Sequence, residues 1–289
     1  MKAIYDVPAP AKLNLFLHIT GRRLDGYHLI ESVFMLIDWC DTLHFELRRD
    51  GLVTRADIHA FETEKLPAEA LPAEDLCVQA ARALQRASGT TLGVHISLEK
   101  RIPSQAGMGG GSSDAASCLL ALQRLWGIQL PHDQLLAVAL SLGADVPFFL
   151  SGGNAWVSGV GEQITPIDLP TADFLVVKPP LGLSTPAIFA SPRLKRDTET
   201  ATIKSFAEHD NPGIFGFGRN DLQPVAQEFC KQIGQSLDWL SGLQLTGRMT
   251  GSGSAVFAYL PHEVDYSGHL NGWNVRKCSS LQTHPLDGW

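Results

Sequence analysis

Residues Gln105 to Ala116 read QAGMGGGSSDAA, with four glycines and two serines between an alternating run, VHISLEKRIP, and a helically spaced one, AASCLLALQRLW. Bare backbone N–H groups at the start of a helix attract anions, so a phosphate cradle is one reading and a plain tight turn the other. Neither familiar phosphate fingerprint fits. A Walker A loop needs lysine after its last glycine, but Ser112 follows Gly111, and Ser112 also stands where G-x-G-x-x-G needs its third glycine. Ser112 or Ser113 is the expected cap, with Gly107 to Gly111 as donors. Asp114 suits the helix dipole but would compete with a bound anion, so it is expected to point away.

Three further segments carry chemistry. In LGADVPFF, Asp145 is either the N-cap of a short helix with Pro147 in its first turn, or a carboxylate among apolar groups poised as a general base. In PAPAKLNLFL, Lys12 and Asn14 share a strand face, a lysine that becomes an electrostatic aid if that face meets a carboxylate. In TGSGSAVFAY, Gly251 and Gly253 mark a turn before a strand.

The 289 residues suit two modest domains, and 44% hydrophobic with 18% charged residues describe a globular chain. A net charge of −7 argues against a nucleic-acid binder while leaving room for a local basic pocket. Cys40, Cys77, Cys118, Cys230 and Cys278 form no C-x-x-C pair, which suits small buried side chains in a reducing cytosol. MKAIYDVPAPAK lacks the apolar stretch of a secretory leader. LLAVALSLGADVPFFL is too short to span a bilayer and is interrupted by Gly143, Asp145 and Pro147. The expectation is a cytoplasmic protein with neither nucleic-acid nor membrane partners.

The elements that must position these residues follow from periodicity. AKLNLFLHITG alternates, with Leu13, Leu15, Leu17 and Ile19 on one face and Lys12, Asn14, Phe16 and His18 on the other. YHLIESVFMLID, TLHFELRR and TLGVHISLEK read as strands, and Thr54 to Pro72 as a surface connection. DLCVQAARALQRA, Ser113 to Trp126 and HDQLLAVALSLG read as helices, the last closed by Gly143. GGNAWVSGVGEQITPI suggests a hairpin and DFLVVKPP a strand. Ser191 to Gly218 reads as loop, followed by helices over 222–233 and 234–240 and strands LQLTGRM, AVFAYL and NVRKCSS.

PAKLNLFL, AGMGGGSSDAA, LGADVPFF and LTGRMTGSGSAVFA occur in the order and spacing of the galactokinase, homoserine kinase, mevalonate kinase and phosphomevalonate kinase (GHMP) superfamily. The chain resembles that superfamily from Pro8 to about Pro285. GRRLDGYHLIESVF resembles its branch acting on a cytidine diphosphate-linked methylerythritol. The resemblance implies an α+β, two-domain architecture. An N-terminal ATP-binding α/β domain would span 1–160 and a smaller ferredoxin-like α+β domain 161–289, with the active site in the cleft between them.

It further implies transfer of the γ-phosphoryl group of ATP, with Mg²⁺, to the 2-hydroxyl of a small substrate carrying a cytidine diphosphate group. On this resemblance Asp145 is the catalytic base and Lys12 its partner. Gly107, Gly109, Gly110, Gly111, Ser112 and Ser113 hold the phosphates, while Lys100, Pro103, Asp75 and Leu76 lie on the adenine side. Asn14 and Thr185 stand near the reacting end of the substrate, and Tyr27, His28 and Phe189 hold the cytosine. No side chain is assigned as a direct metal ligand, and monomer and homodimer both stay open. Two positions depart from the superfamily pattern: Gln105 replaces a glycine, which requires a backbone that tolerates a side chain, and Asp75 replaces an asparagine, which removes a donor. The rivals are a GHMP kinase for homoserine, mevalonate or a sugar, which Tyr27 and His28 oppose, and a non-catalytic nucleotide binder, which Lys12 with Asp145 opposes.

Overall fold

Two long strands organise the molecule. In the computed structural model, which describes residues 2–58, 74–210, 212–268 and 272–289, β1 (Ala3–Arg22) and β2 (His28–Arg48) pair antiparallel along their length. The other edge of β2 is shared by two partners. Its second half pairs with β4 (Gly93–Glu99) and its first half with β5 (Ala155–Gly159). β3 (Val53–Ile58) lies parallel to β4, and β6 (Gln163–Pro166) closes a hairpin with β5. The expected surface connection therefore begins as a strand. A parallel neighbour needs a crossover, here through α1 (Leu76–Ser88), and six residues of VTRADI carry too little period to announce it. The remainder of that connection, 59–72, lies outside the described residues.

Helices α1, α2 (Gly110–Trp126), α3 (His132–Leu142) and α4 (Val146–Leu150) cover one face of this sheet. Its other face packs on a second, antiparallel sheet of β7 (Asp173–Lys178), β8 (Gly247–Met249), β9 (Val256–Tyr259) and β10 (Asn274–Ser279), ordered β10-β7-β9-β8. Strand period decides the layering. Phe174 and Val176 meet Leu13, Val33 and Met35 between the sheets, while Leu175 and Val177 face the outer helices. Each fully buried Leu, Val or Phe contributes roughly 1.5–3 kcal/mol of transfer free energy to these layers. The outer helices are α7 (Gln223–Phe229) and α8 (Lys231–Gly242). Extended, buried Cys230 separates them, so the expected break at Gly234 falls inside α8. Short α5 (Thr185–Ala190) precedes the stretch read as loop from Ser191 to Gly218, which holds short α6 (Ile203–Ala207) and a 3-10 turn, Gly213–Gly216.

β1 does not alternate as read. Register shifts between Pro10 and Ala11 and between Asn14 and Leu17 turn the strand twice. Val7 and Ala9 face the helices, Leu13, Leu15 and Phe16 the space between the sheets, and Leu17 and Ile19 the outer helix layer. The expected single apolar face is thus split, and Phe16 joins Leu13 and Leu15. Pro8 and Pro10 are tolerated because β1 pairs on one side only.

The architecture is α+β in two domains. Residue 160 lies within the β5–β6 hairpin, whose second strand still belongs to the first sheet. The chain also returns at its end, with Ser280 bridging Ile37, Thr283 bridging Gly153, and Leu286 in the helix-side core. We place the boundary between Pro166 and Asp173.

His284 anchors that return. Its N–H donates to Gly152 O, its Nδ1 accepts from Leu286 N at 3.1 Å, and its buried Nε2 has no partner among the described residues. Burial pushes the imidazole down to about 4, with Asp287 pulling weakly the other way. The unfolded chain therefore binds a proton between about pH 6.5 and 4 that the folded one refuses. Stability present above pH 6.5 is lost as pH falls toward 4, by about 3 kcal/mol at most. His284→Asn keeps an acceptor and removes the titration. Its urea midpoint is expected to vary less with pH across this window than that of the wild type, and an equal slope would exclude His284 as the source.

Candidate active site

A cavity of about 1260 Å³ opens where the start of α2 meets β1 and the second sheet's loops. Ligand sites run roughly 300–1,000 Å³, so this one has room for two molecules end to end. Every residue expected to bind or react lines it, except Ser113, which is fully buried.

The glycine loop is shaped by contact as much as by flexibility. Gly107 has φ 74°, and a Cβ there would collide with the Thr250 carbonyl. Gly109, at φ 71°, is the N-cap of α2, and a Cβ there would meet the Phe149 ring at 3.0 Å and Lys12 Cε at 3.3 Å. No side chain caps α2, so the expected Ser112 or Ser113 cap is absent. The helix begins at Gly110, three residues before the expected start, and both serines already lie in its first turn. The first-turn N–H groups of a helix have no intrahelical acceptor, and these begin at the cavity wall.

The second bulge of β1 lies beyond Asn14, and the first lies before Lys12, so both side chains face the helix layer. Lys12 Nζ donates to Asn14 Oδ1 at 2.5 Å, sits 4.3 Å from the Phe34 ring centroid, and lies 3.5 Å from Asp145 Oδ2. Burial pulls the Lys12 ammonium down and Asp145 opposes it. Asn14 is held in turn, its Nδ2 donating to Ser32 Oγ and its N–H to Thr250 Oγ1. Asp145 occupies the N-cap position of α4, yet its side chain caps nothing. The carboxylate is 33% exposed and turned to the lysine, so the side-chain N-cap expected as one reading of LGADVPFF is not formed.

At the other side of the loop, Lys100 Nζ bridges Asp41 and Asp114, the latter at 2.7 Å. Asp114 is expected to point away from the loop. Instead it is buried on the cavity side of α2, because Lys100 gives it a partner there. Burial alone would lower Lys100, and the two carboxylates reverse that and raise it. Burial also pushes Asp114 well up; Lys100 pulls it back, and the neighbouring Asp41 adds to the rise. Asp41, fully buried, accepts from Arg101 N and Ile102 N, tying this trio to the strand end that feeds the loop. Asp75 caps α1, accepting from Val78 N at 3.0 Å, while its other oxygen pairs with Arg55 Nη1 at 2.7 Å. Only an acceptor serves both bonds, which accounts for aspartate in place of asparagine.

The far end is aromatic. Tyr27 stands 65% exposed at a turn whose Arg23 N–H donates to Tyr27 O. His28 and Phe189 tilt against each other with centroids 5.1 Å apart. Thr185 Oγ1 shares a 2.6 Å hydrogen bond with Ser252 Oγ. Sequence reasoning missed Thr250 and Ser252, for which the only signal was the glycine pair around them. It also missed Arg196, whose Nε donates to His28 Nε2 at 2.9 Å.

Residues 75–153 match the family described as GHMP kinases N terminal domain. The chain is 73% identical over its whole length to a 4-diphosphocytidyl-2-C-methyl-D-erythritol kinase of Polaromonas sp. (strain JS666 / ATCC BAA-500), covering 95% of it. A crystal structure of 4-(cytidine 5'-diphospho)-2C-methyl-D-erythritol kinase superposes with TM-score 0.68 at 32% identity, covering 90% of each chain. The Methanococcus jannaschii mevalonate kinase reaches the same TM-score at 15% identity over 97% of this chain and 98% of its own, a likeness of fold. With identity of that order across its full length, the chain belongs to the 4-diphosphocytidyl-2-C-methyl-D-erythritol kinases, phosphotransferases built on the GHMP kinase fold.

Proposed function

We propose that the chain transfers the γ-phosphoryl group of ATP to the 2-hydroxyl of 4-diphosphocytidyl-2-C-methyl-D-erythritol, giving the 2-phosphate and ADP. The observation that carries this reading is the Lys12–Asp145 pair. An uncapped, part-exposed carboxylate stands 3.5 Å from a buried ammonium, on the wall of a cavity with a helix N-terminus on one side and aromatic rings on the other.

Phosphoryl transfer is mostly positioning and charge neutralisation. The N–H groups from Gly107 to Ser112 would grip the β- and γ-phosphates. Asp145 would accept the hydroxyl proton, and Lys12, fixed by Asn14 and Phe34, would stabilise charge developing beside it. Among the described residues no three His, Cys, Asp or Glu form a cluster. The oxygen donors lining the cavity at the start of α2 include Ser112, Asp145 and Asp114, the last already held by Lys100. A hard cation that keeps several waters and binds chiefly through nucleotide phosphates fits such a sparse set. Mg²⁺ bound there would supply neutralisation of the phosphoryl oxygens. Tyr27, His28 and Phe189 would take the cytosine, and Thr185, oriented by Ser252, the reacting end. The adenine side would be formed by Asp75, Leu76 and Pro103. Lys100, neutralised by two carboxylates, serves chiefly to hold the loop's entry.

Asp145→Asn is expected to lower kcat by a factor on the order of 10²–10⁴, with ATP affinity by titration calorimetry little changed. Near-normal turnover would remove the base assignment. Lys12→Ala should cost about 3 kcal/mol in kcat/KM, the scale of one preorganised electrostatic donor. Lys100→Met strands two buried carboxylates and should lower unfolding free energy by about 3 kcal/mol in urea. Weakened ATP binding at unchanged stability would instead make Lys100 a base contact.

A further inference from the structure

The nucleotide-like end of the cavity contains a hydrogen bond that fixes a proton. Arg196 Nε donates to His28 Nε2 at 2.9 Å. A guanidinium has five donors, no acceptor, and does not deprotonate in proteins. The imidazole nitrogen facing it must therefore offer a lone pair. A neutral histidine with an accepting Nε2 carries its proton on Nδ1. Nδ1 has no protein partner among the described residues, and His28 lines the cavity.

The guanidinium cannot turn away to relax this constraint. Its Nη1 donates to Leu194 O at 2.9 Å, and its Nη2 to Phe189 O at 3.1 Å and Ser191 O at 2.8 Å. Those acceptors are carbonyls on one short segment, so the fork is anchored on three sides before it reaches His28. The same side chain holds the backbone of Phe189, whose ring leans on His28. One residue thus places both the ring that would stack on a base and the ring that would read its edge. Protonation of His28 would set N–H against N–H. Burial first, then the charges of Arg196 and Arg22, all hold the imidazole below its usual range.

We propose that Arg196 is a positioning residue that selects cytosine over uracil, by locking His28 in the Nδ1–H form so that it presents only a donor to the base. This rests on the reading of Tyr27, His28 and Phe189 as the pyrimidine site. Cytosine offers acceptors at O2 and N3, whereas uracil carries a hydrogen on N3. A nitrogen that can only donate pairs with the first and faces a second donor in the other, so selectivity comes from repulsion as well as attraction. A histidine free to exchange tautomers would accept from uracil as readily as it donates to cytosine.

Nitrogen NMR of the full chain with isotope-labelled histidine tests the tautomer directly, with His28→Gln assigning the signal. At neutral pH the wild type should show His28 protonated on Nδ1 and bare on Nε2. A wild-type Nε2–H signal overturns the proposal without any Arg196 variant having to fold. Arg196→Met should shift His28 toward Nε2–H, raise KM for the cytidine substrate about tenfold, the scale of a lost hydrogen bond to a charged group, and lower kcat by less. Its preference for CDP over UDP, measured as dissociation constants, should fall by a similar factor. Arg196→Lys restores a charged donor and should recover part of the preference. Unchanged CDP preference in Arg196→Met, with His28 still Nδ1–H, would leave Arg196 a mere loop anchor and refute the proposal. A wild type that binds CDP and UDP equally while showing Nδ1–H would instead remove the pyrimidine reading on which the selectivity rests.

Discussion

The outer edge of β1 is the constraint on which the remainder depends. A strand paired on one side leaves a row of backbone donors and acceptors that must be satisfied elsewhere when buried. Between residues 12 and 19 many of these groups bond to segments distant in sequence. Lys12 N donates to Met108 O of the glycine loop, and Asn14 N to Thr250 Oγ1. Leu15 O accepts from Arg248, and Leu17 exchanges bonds with Arg219 and Asp221. Ile19 N donates to Asp221 Oδ2 while Ile19 O accepts from Thr198 N. The two domains are thus joined through one strand edge. Lys12 sits on that strand, where its position relative to the glycine loop is set by its main-chain bond to Met108 O.

Burying an ammonium is costly, and the site shows how the cost is met. Lys12 receives a carbonyl oxygen from Asn14, a ring face from Phe34 and a carboxylate from Asp145. Only the carboxylate carries full charge, so it supplies the main pull against the lowering that burial imposes on the lysine. The dependence runs both ways. Asp145 keeps its exposure toward the cavity, where it can meet a hydroxyl, because the α4 N-terminus makes no use of it.

Periodicity revealed the strands other than β3, the long helices and the hairpin, since each obeys a local rule. It did not reveal the bulges of β1, because a register shift depends on the partner strand and changes no residue type. That is why Phe16 was placed with Lys12 and Asn14 although it packs with Leu15. Lys12 and Asp145 were legible as residue types in suggestive places, whereas their 3.5 Å approach joins segments more than a hundred positions apart in sequence. The bond of Arg196 to His28 was illegible for the same reason. Its segment had no period, and its partner lies 168 positions away in sequence, at the start of β2. Lys100 was placed on the adenine side by the resemblance alone, and its ion pairs with Asp41 and Asp114 were illegible because those residues lie on separate elements.

Gln105 shows how a loop can keep a glycine's shape without the glycine. Its φ is 51°, a region that disfavours a side chain by roughly 1–2 kcal/mol. Two backbone bonds hold it there: Ser254 N donates to Gln105 O, and Ala255 N to Ala106 O, each at 3.1 Å. Space for the side chain comes from across the cleft, where a Cβ on Gly182 would strike Gln105 Oε1. The loop's conformation is therefore imposed by the Thr250–Ala255 turn that docks on it, with local flexibility needed only at Gly107 and Gly109. The two glycine-rich segments, one in each half of the sequence, form a single device: the second shapes the first, and the first presents the helix N-terminus to the cavity.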